Sequence, residues 1–315
     1  LCTPGQRAPA EALAALLGPR SAGIYAGAAP HVPLEVAEAA RAEARRLEAD
    51  CCVAVGGGST IGLAKAIALT EGLPILALPT TYAGSEMTPI WGITAGGLKQ
   101  TGRDARVLPR AVIYDPELTL GLSPRIAGPS GLNAIAHCVE ALYAPDTNPI
   151  VQLMAEEGIR ALAAALPAIQ ANPASLEARA GALYGAWLAG AALGATSMGL
   201  HHKLCHTLGG SFGLPHAETH AAVLPHAAAY NRVAAPEAMH RVARALGVAD
   251  APAGLFDLAA ALGAPAALRD IGMRAEDLDR AAELATQAPY ANPAPVTREE
   301  VRRLLRNAFE GRRPA

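Results

Sequence analysis

Residues 51–69, CCVAVGGGSTIGLAKAIAL, join a strand pattern, a glycine loop and a helix pattern without a break. The run Cys51–Val55 is small and continuously apolar, which is typical of a strand buried on both faces of a parallel sheet. Gly56–Ser59 follows it, and Thr60–Leu69 then places apolar residues at helical spacing. A strand–turn–helix unit of this kind predicts an α/β sheet.

The same alternation of strand and helix patterns continues on both sides of this stretch. Leu34–Ala49 places apolar residues at helical spacing among Arg and Glu, which predicts an amphipathic surface helix. We predict further strands at Ser21–Tyr25, Pro74–Leu78 and Ala111–Tyr114. The opening residues, LCTPGQR, have the pattern of a strand tail that enters a turn, so we expect the body of that strand to precede them.

Strand patterns end near residues 122–128, where Ala- and Leu-rich helical patterns broken by Pro and Gly begin. We therefore predict an α/β domain with a parallel sheet over residues 1–124, truncated at its N-terminus, and an all-α domain over residues 125–315. The most apolar stretch, Leu183–Leu200, is interrupted by glycine and serine. We predict one tightly packed buried helix there, not a membrane span.

The composition narrows the class of protein further. Of 315 residues, 51% are hydrophobic and 17% charged, so the chain can build a sizeable core and is not expected to be disordered. A net charge of −2 argues against nucleic acid as the main partner. No apolar run reaches the length of a membrane span. Five cysteines without framework spacing, and no visible targeting segment, favour a reducing compartment and predict a cytoplasmic protein.

Two loops at the carboxyl ends of predicted strands suit a nucleotide. In the first, glycines let the backbone approach a phosphate while the following helix N-terminus presents free N–H groups. The second, Pro79–Glu86 (PTTYAGSE), carries several hydroxyls and an aromatic ring at the same edge of the sheet, where ligands of such sheets bind. The triple glycine alone also fits a tight turn, and it matches neither GxGxxG nor a P-loop. Together the two loops predict a dinucleotide site.

Histidines cluster in the helical part of the chain. His202 and His206 are spaced by four residues, as are His216 and His220, so each pair shares one face of a helix. Lys203 stands where an HExxH zinc helix has its glutamate, which excludes a metalloprotease. Imidazole serves both as a metal ligand and as a proton donor, and the spacing leaves both roles open.

Several motifs, taken together, resemble one family. GGGSTIGLAK, PTTYAGSE, VIYDPEL, NAIAH and HHKLCHTLGGSFGLPHAETH occur in the order and spacing of the iron-containing (group III) alcohol dehydrogenase superfamily, which shares the dehydroquinate synthase-like fold. Within it, TTYAGSEMTPIWG, TGRDARVLPRAVIYDP and GLHHKLCH look like the maleylacetate reductases. The resemblance implies a nucleotide domain followed by a helical catalytic domain, an active site in the cleft between them, NADH or NADPH as hydride donor, and a homodimer.

The resemblance also assigns residues to the cofactor. It places the pyrophosphate on Gly57, Gly58 and Ser59, the rest of the nucleotide near Thr80, Thr81 and Ser85, and Lys99 beside the cofactor. The acidic residue that often selects the adenosine ribose is absent, since Pro4 and Gly5 occupy that stretch. We therefore expect both NADH and NADPH to serve.

Metal-dependent members of the superfamily use one aspartate and three histidines. His137, His202 and His216 match the histidines, but Asn133 stands in the place of the aspartate. A neutral amide is a poor ligand for a divalent cation. The resemblance thus implies a former metal site, in which we expect iron or zinc to be absent more often than present.

The activity implied is conjugate hydride transfer to the C=C bond of maleylacetate, a dicarboxylate, giving 3-oxoadipate in aromatic-compound degradation. His206 or His202 would protonate the enolate and Lys203 would bind a carboxylate. His137 and His216 would complete a partly protonated pocket, with Tyr82 touching substrate from the nucleotide side. Two alternatives stay open: a metal-dependent alcohol dehydrogenase acting on a small aldehyde or ketone, and an inactive nucleotide-binding fragment.

Overall fold

The chain folds into two units, Leu1–Leu122 and Ser123–Ala315, in the computed structural model, which describes residues 1–96 and 98–315. The first unit contains the strands described here, and the second is helical. Because each unit carries its own candidate site, they are described separately below.

A parallel sheet forms the centre of the first unit. Its strands are β1 (Cys52–Gly56), β2 (Ile75–Pro79) and, after the hairpin described next, β5 (Ala111–Val112), in the order β1–β2–β5. In the register, Ala54 lies beside Ala77, which in turn lies beside Val112. The predicted parallel α/β sheet is confirmed, and its strands fall within two residues of the predicted bounds.

The sequence did not predict an antiparallel hairpin in this unit. It consists of β3 (Ile90–Ala95) and β4 (Leu98–Arg103), with Thr94 paired to Lys99. β4 is polar and almost entirely exposed. It therefore lacks the apolar pattern by which buried strands are identified.

The helices of the first unit are α1 (Arg7–Leu17), α2 (Leu34–Arg46) and α3 (Gly58–Glu71). The predicted strand at Ser21–Tyr25 is wrong, since that segment has no regular secondary structure. The Tyr25 carbonyl of this segment nevertheless accepts a hydrogen bond from the Cys2 N–H at 3.1 Å. The neighbouring Leu1 carbonyl accepts one from the Val55 N–H of β1 at 3.0 Å. This one hydrogen bond to Tyr25 does not make the segment a strand.

The second unit is built of α-helices, and none of its residues forms a strand, as predicted. These helices are α4 (Pro124–Tyr143), α5 (Pro149–Ala171), α6 (Leu176–Ala195), α7 (Leu200–Phe212), α8 (His216–Asn231), α9 (Pro236–Leu246), α10 (Ala251–Ala261), α11 (Leu278–Thr286) and α12 (Arg298–Glu310). None of the helices formed by the described residues is long and apolar enough to cross a membrane.

The predicted single helix over Leu183–Leu200 is wrong, because α6 ends at Ala195 and α7 begins at Leu200. The link between them is held by side chains from elsewhere. The Ser197 N–H and hydroxyl donate to the Asp146 carboxylate at 2.9 and 3.0 Å. The Gly199 N–H donates to Glu140 at 3.0 Å. These partners satisfy backbone groups that a continuous helix would have paired internally.

Candidate functional sites

In the glycine loop of the first unit, Gly56–Ser59, Gly57 is packed against another loop, whereas Gly58 has open space beside it. A Cβ on Gly57 would lie 2.7 Å from Cγ2 of Thr81, so only glycine fits there. A Cβ on Gly58 would meet no described atom within 4 Å. Gly58 is also the first residue of α3, whose N-terminal N–H groups and dipole suit an anion. Ser59 follows in the same first turn, half-buried.

The loop Pro79–Glu86, called the hydroxyl loop below, packs directly against the glycine loop. The Thr80 N–H donates to the Gly56 carbonyl at 3.2 Å, and the Thr80 hydroxyl accepts from Gln6 Nε2 at 2.6 Å. The Ser85 hydroxyl is buried without a hydrogen-bond partner among the described residues. The hydrogen bond of Thr80 and the contact of Thr81 with Gly57 bring these two residues against the glycine loop, as the predicted nucleotide site requires. The Ser85 carbonyl instead lies 2.6 Å from Nζ of Lys65, further along α3.

The other two residues of the first unit that were predicted to contact the ligands are Lys99 and Tyr82. Lys99 lies on β4, with its Cε packed over Gly92 of β3. Tyr82 is fully buried. Its predicted contact with substrate stays a prediction, which this burial does not favour.

Six imidazoles gather in the second unit, contributed by α4, α7 and α8. The ring of His137 stacks on that of His202, with centroids 5.0 Å apart. The remaining centroid separations run from 4.3 to 6.1 Å and link His201, His202, His206, His216 and His220. His206 and His216 are exposed, and the other members of this histidine cluster are buried. Lys203 is half-buried beside His202 on α7.

A buried carboxylate that the sequence reasoning missed anchors the cluster. Glu140 is 0% exposed, and its Oε1 accepts the His201 N–H at 2.7 Å. Its Oε2 accepts the Gly199 N–H at 3.0 Å and the His202 Nδ1 proton at 2.7 Å. Burial raises the pKa of Glu140, while His201 and these N–H groups at the start of α7 act in the opposite direction. Its three-residue offset from His137, which puts both on one face of α4, is the signal that could have identified it.

This contact also fixes the state of His202. A carboxylate at Nδ1 places the ring proton on that nitrogen, so the lone pair lies on Nε2. Nε2 is buried and meets no hydrogen-bond partner among the described residues. At rest, His202 therefore presents an acceptor, not a proton.

The buried imidazoles are neutral at pH 7. Burial lowers the pKa of His137, His202 and His220 well below the ordinary histidine value, and lowers the pKa of His201 to about 4. Mutual repulsion among the rings lowers these pKa values further. The expectation of a partly protonated pocket is wrong for these four residues, because a charged ring would have to be desolvated.

The four residues matched to a metal site are present but do not fit a divalent cation. Asn133 is buried, with Oδ1 unpartnered among the described residues, yet an amide brings no negative charge. Ligand atoms of three or more His, Cys, Asp or Glu residues converge within 4.8 Å in two groups of the described residues, and neither group combines His137, His202 and His216.

Those two groups are already engaged in hydrogen bonds. The first is Glu140, His201 and His202, where the carboxylate is occupied as described. The second is His201, Cys205 and His220. There, His201 Nε2 donates to the His220 carbonyl at 3.1 Å, and burial raises the pKa of the Cys205 thiol well above its usual value. Neither group offers a free anionic ligand.

Comparison with known proteins identifies the family of the chain. The model of the iron-containing alcohol dehydrogenases matches residues 2–116, and that of the C-terminal domain of the Fe-containing alcohol dehydrogenase family matches residues 128–309. The chain is 64% identical over 315 residues to maleylacetate reductase of Burkholderia cepacia, covering 100% of this chain and 90% of that protein. It is 57% identical over 314 residues to maleylacetate reductase of Sphingobium indicum, covering 100% and 89%.

A solved structure is similar over the same extent. The crystal structure of maleylacetate reductase from Rhizobium sp. strain MTP-10005 superposes with a TM-score of 0.96 at 55% identity, covering 99% of this chain and 89% of that one. Both halves of the sequence match the same family, and the fold agrees. The chain therefore belongs to the iron-containing alcohol dehydrogenase family.

Proposed function

We propose that the protein reduces the carbon–carbon double bond of maleylacetate to give 3-oxoadipate, with NADH or NADPH as hydride donor, in the degradation of aromatic compounds. The observation that carries this proposal is the 64% identity to a maleylacetate reductase over the whole chain. The neutral Asn133 beside neutral imidazoles supports it further. Conjugate addition needs less Lewis-acid help than carbonyl reduction, so it suits such a pocket better than the metal-dependent alternative.

The first unit would hold the nucleotide. Backbone N–H groups of Gly57 and Gly58 and the hydroxyl of Ser59 would bind the pyrophosphate at the start of α3. The remaining nucleotide contacts would come from Thr80, Thr81, Ser85 and Lys99. No acidic residue that would repel a 2′-phosphate stands at Pro4 or Gly5, which supports dual use of NADH and NADPH.

When bound, the reduced nucleotide would supply a hydride to the alkene carbon β to the ketone, and the C=C electron pair would move to form an enolate. The chain must then deliver one proton to the carbon α to the ketone. His206 is exposed and lies one turn after His202 on α7. His202 has its Nδ1 proton bound by Glu140 and a lone pair on Nε2. We therefore assign the proton transfer to His206.

The dicarboxylate needs positive charge that the buried imidazoles do not provide. Lys203 on α7 would bind one carboxylate of the substrate. His216 stands at the first position of α8, where helix N–H groups add hydrogen-bond donors for an anionic oxygen. His137 would close the pocket behind them as a neutral ring.

Steady-state kinetics tests the proposal. Purified protein is given enzymatically generated maleylacetate and either NADH or NADPH, while loss of the reduced nicotinamide and formation of 3-oxoadipate are followed. We expect turnover with both nucleotides and one 3-oxoadipate per nucleotide oxidised. Turnover of simple aldehydes alone, dependent on added Fe²⁺ or Zn²⁺, would establish the alcohol dehydrogenase instead. Nucleotide binding without any turnover would identify an inactive nucleotide-binding fragment.

We also propose that the protein is a homodimer, which the family resemblance supports, and that it is cytoplasmic, which its five cysteines without framework spacing support. Light scattering on the purified chain tests the first point, since a dimer has twice the mass of one chain. Fractionation of the source cells tests the second.

A further inference from the structure

Lys65 is a charged side chain in the interior of the first unit. It lies on α3 and is 1% exposed, whereas lysines are almost never fully buried unless paired. Its Nζ lies 2.6 Å from the Ser85 carbonyl, 2.7 Å from the Thr88 carbonyl and 2.9 Å from the Thr88 hydroxyl. The Ile90 carbonyl is also 2.9 Å away. Four acceptors thus surround an ammonium that has three protons.

These acceptors lie on one segment, Ser85–Ile90, which begins within the hydroxyl loop and ends at the first residue of β3. The segment Ser85–Ile90 follows Thr80 and Thr81, and it leads into β3. Three carbonyls of this segment, those of Ser85, Thr88 and Ile90, face α3 and accept hydrogen bonds from Lys65. Without the ammonium, the Thr88 and Ile90 carbonyls would lose this donor in a buried place, which is costly. The Ser85 carbonyl would keep the N–H and the hydroxyl of Thr88, at 3.2 and 3.0 Å.

The same helix begins at the glycine loop. Gly58 is its first residue, and Lys65 lies two turns further on, about 10 Å along the axis. At that separation Lys65 does not itself contact a phosphate held at the helix start. It instead fixes the hydroxyl loop to the helix that forms the other half of the nucleotide cradle.

A buried acid supports the charge on Lys65. Glu86 is 1% exposed, lies within the same segment and accepts the Tyr114 hydroxyl proton at 2.9 Å. Burial lowers the pKa of Lys65 to about 7, and the Glu86 carboxylate acts against that fall. Burial likewise raises the pKa of Glu86, while Tyr114 and Lys65 oppose the rise. The pair therefore stabilises the ammonium where a lone lysine would tend to lose its proton.

We propose that Lys65 is a positioning residue for the reduced nucleotide, because it holds Ser85–Ile90 on α3 and so keeps the two nucleotide loops in register. This inference rests on the proposed function, since it assumes that the two loops bind NADH or NADPH. Lys65 touches neither substrate nor reacting atoms in this role. Its removal should therefore weaken nucleotide binding while leaving the proton-transfer machinery of the second unit unchanged.

The test is a set of matched variants. Lys65→Met removes the donor and keeps the aliphatic length. Arg41→Met is its control, because Arg41 donates from Nε and Nη2 to the Ala66 carbonyl of the same helix, at 3.1 and 2.9 Å, but contacts α3 from α2. Thr88→Val removes one acceptor of Lys65 and, with it, the hydrogen bond that the Thr88 hydroxyl donates to the Ser85 carbonyl at 3.0 Å. It keeps the ammonium and its three carbonyl acceptors, so it is the milder variant that decides the question if Lys65→Met does not fold.

The readouts are the NADH dissociation constant from fluorescence titration, the KM values for NADH and maleylacetate, and kcat. For Lys65→Met we expect the Kd and KM for NADH to rise about tenfold or more, with KM for maleylacetate and kcat changed by no more than about twofold. Thr88→Val should raise the NADH constants by about threefold. Arg41→Met should leave them near the wild-type values, even where it lowers the Tm.

The outcomes separate this inference from the function on which it rests. A wild-type protein that neither binds nor oxidises NADH or NADPH overturns both. A wild type that binds NADH, with Lys65→Met or Thr88→Val binding it equally tightly, overturns only the positioning role. A loss of Tm in Lys65→Met with unchanged NADH constants likewise shows that Lys65 stabilises the fold alone.

Discussion

Oε2 of Glu140 lies 2.7 Å from Nδ1 of His202, and both side chains are buried. The same carboxylate accepts two backbone N–H groups at the start of α7. One residue of α4 therefore sets both the position of α7 and the tautomer of the histidine that α7 carries into the cluster. The proposed division of labour, with His202 as acceptor and His206 as proton donor, depends on this contact.

Glu140→Gln should damage both roles. The amide has one acceptor oxygen, so its NH₂ group would face a backbone or ring N–H that also donates. We expect the free energy of unfolding to fall by about 1–3 kcal/mol, measured by urea titration. We also expect kcat/KM to fall about 10–100-fold, as for other residues that orient a functional histidine.

The control for this variant is Glu156→Gln. Glu156 is a carboxylate of α5 that pairs with Arg241 and Arg244 of α9 at the surface of the same unit. The Glu156→Gln variant should keep the wild-type kcat/KM. Nitrogen-15 spectra of the histidine rings add a direct signature, since His202 should hold its proton on Nδ1 in the wild type and exchange between tautomers in Glu140→Gln. A single unchanged tautomer with wild-type turnover would contradict the role.

His206→Asn should remove the proton donor. Loss of a positioned general acid lowers kcat by about 10²–10⁴-fold, while the NADH dissociation constant should not change, because the nucleotide loops lie in the first unit. His240→Asn, which alters an exposed histidine of α9, should have wild-type kcat. If His206→Asn also turns over at the wild-type rate, the proton comes from another group.

Asn133→Asp should restore an anionic ligand to the former metal site. A carboxylate beside neutral imidazoles attracts a divalent cation more strongly than an amide does. We expect the variant to retain more zinc than the wild type after exposure and dialysis, as measured by elemental analysis. Asn148→Asp is the control, since it adds the same charge at the exposed N-cap of α5. Equal metal content in all three proteins would show that the missing charge is not what weakens the site.

Stability should depend on pH through the buried histidines. Burial lowers the pKa of His201 and His226 from 6.5 to about 4 in the folded chain. Between these values the unfolded chain binds more protons, so the free energy of unfolding rises with pH. The stabilisation is complete above about pH 6.5 and is lost as the pH falls towards 4. Each residue contributes at most about 1.4 kcal/mol per pH unit.

Glu140 acts in the opposite direction, because its pKa is raised and its contribution is lost as pH rises. Glu86, whose pKa is also raised, acts in the same direction as Glu140. These two carboxyls are outweighed by five buried histidines whose pKa is lowered. Urea unfolding at pH 5 and pH 7 should therefore give the higher midpoint at pH 7. His226→Gln should reduce the difference, and a midpoint that does not change with pH would refute the linkage.

The sequence predicted those features that leave a local pattern. The strands at Cys52–Gly56 and Ile75–Pro79 were found because buried parallel strands are continuously apolar. β4 was missed because it is exposed and polar. The break at Ala195 was missed because it depends on hydrogen bonds from Asp146 and Glu140, which are remote in sequence.

The histidine cluster shows the same limit. Spacing by four identified His202 and His206 on one face of α7, but Glu140 contacts His202 from α4. Its offset from His137 marks a shared helix face without revealing that contact. The protonation of the pocket was predicted wrongly, since the sequence does not reveal how completely the rings are buried. Lys65 stands among small apolar residues, and only the fold shows its burial and its four acceptors.

Turnover of maleylacetate by metal-depleted protein is the most direct test of hydride transfer without a divalent cation. The protein is dialysed against a chelator, its metal content is determined, and NADH oxidation is followed with and without added Fe²⁺ or Zn²⁺. Full turnover in protein that holds far less than one metal ion per chain, unchanged by either ion, is the predicted result. Loss of turnover on chelation, restored by Fe²⁺ or Zn²⁺, would contradict it.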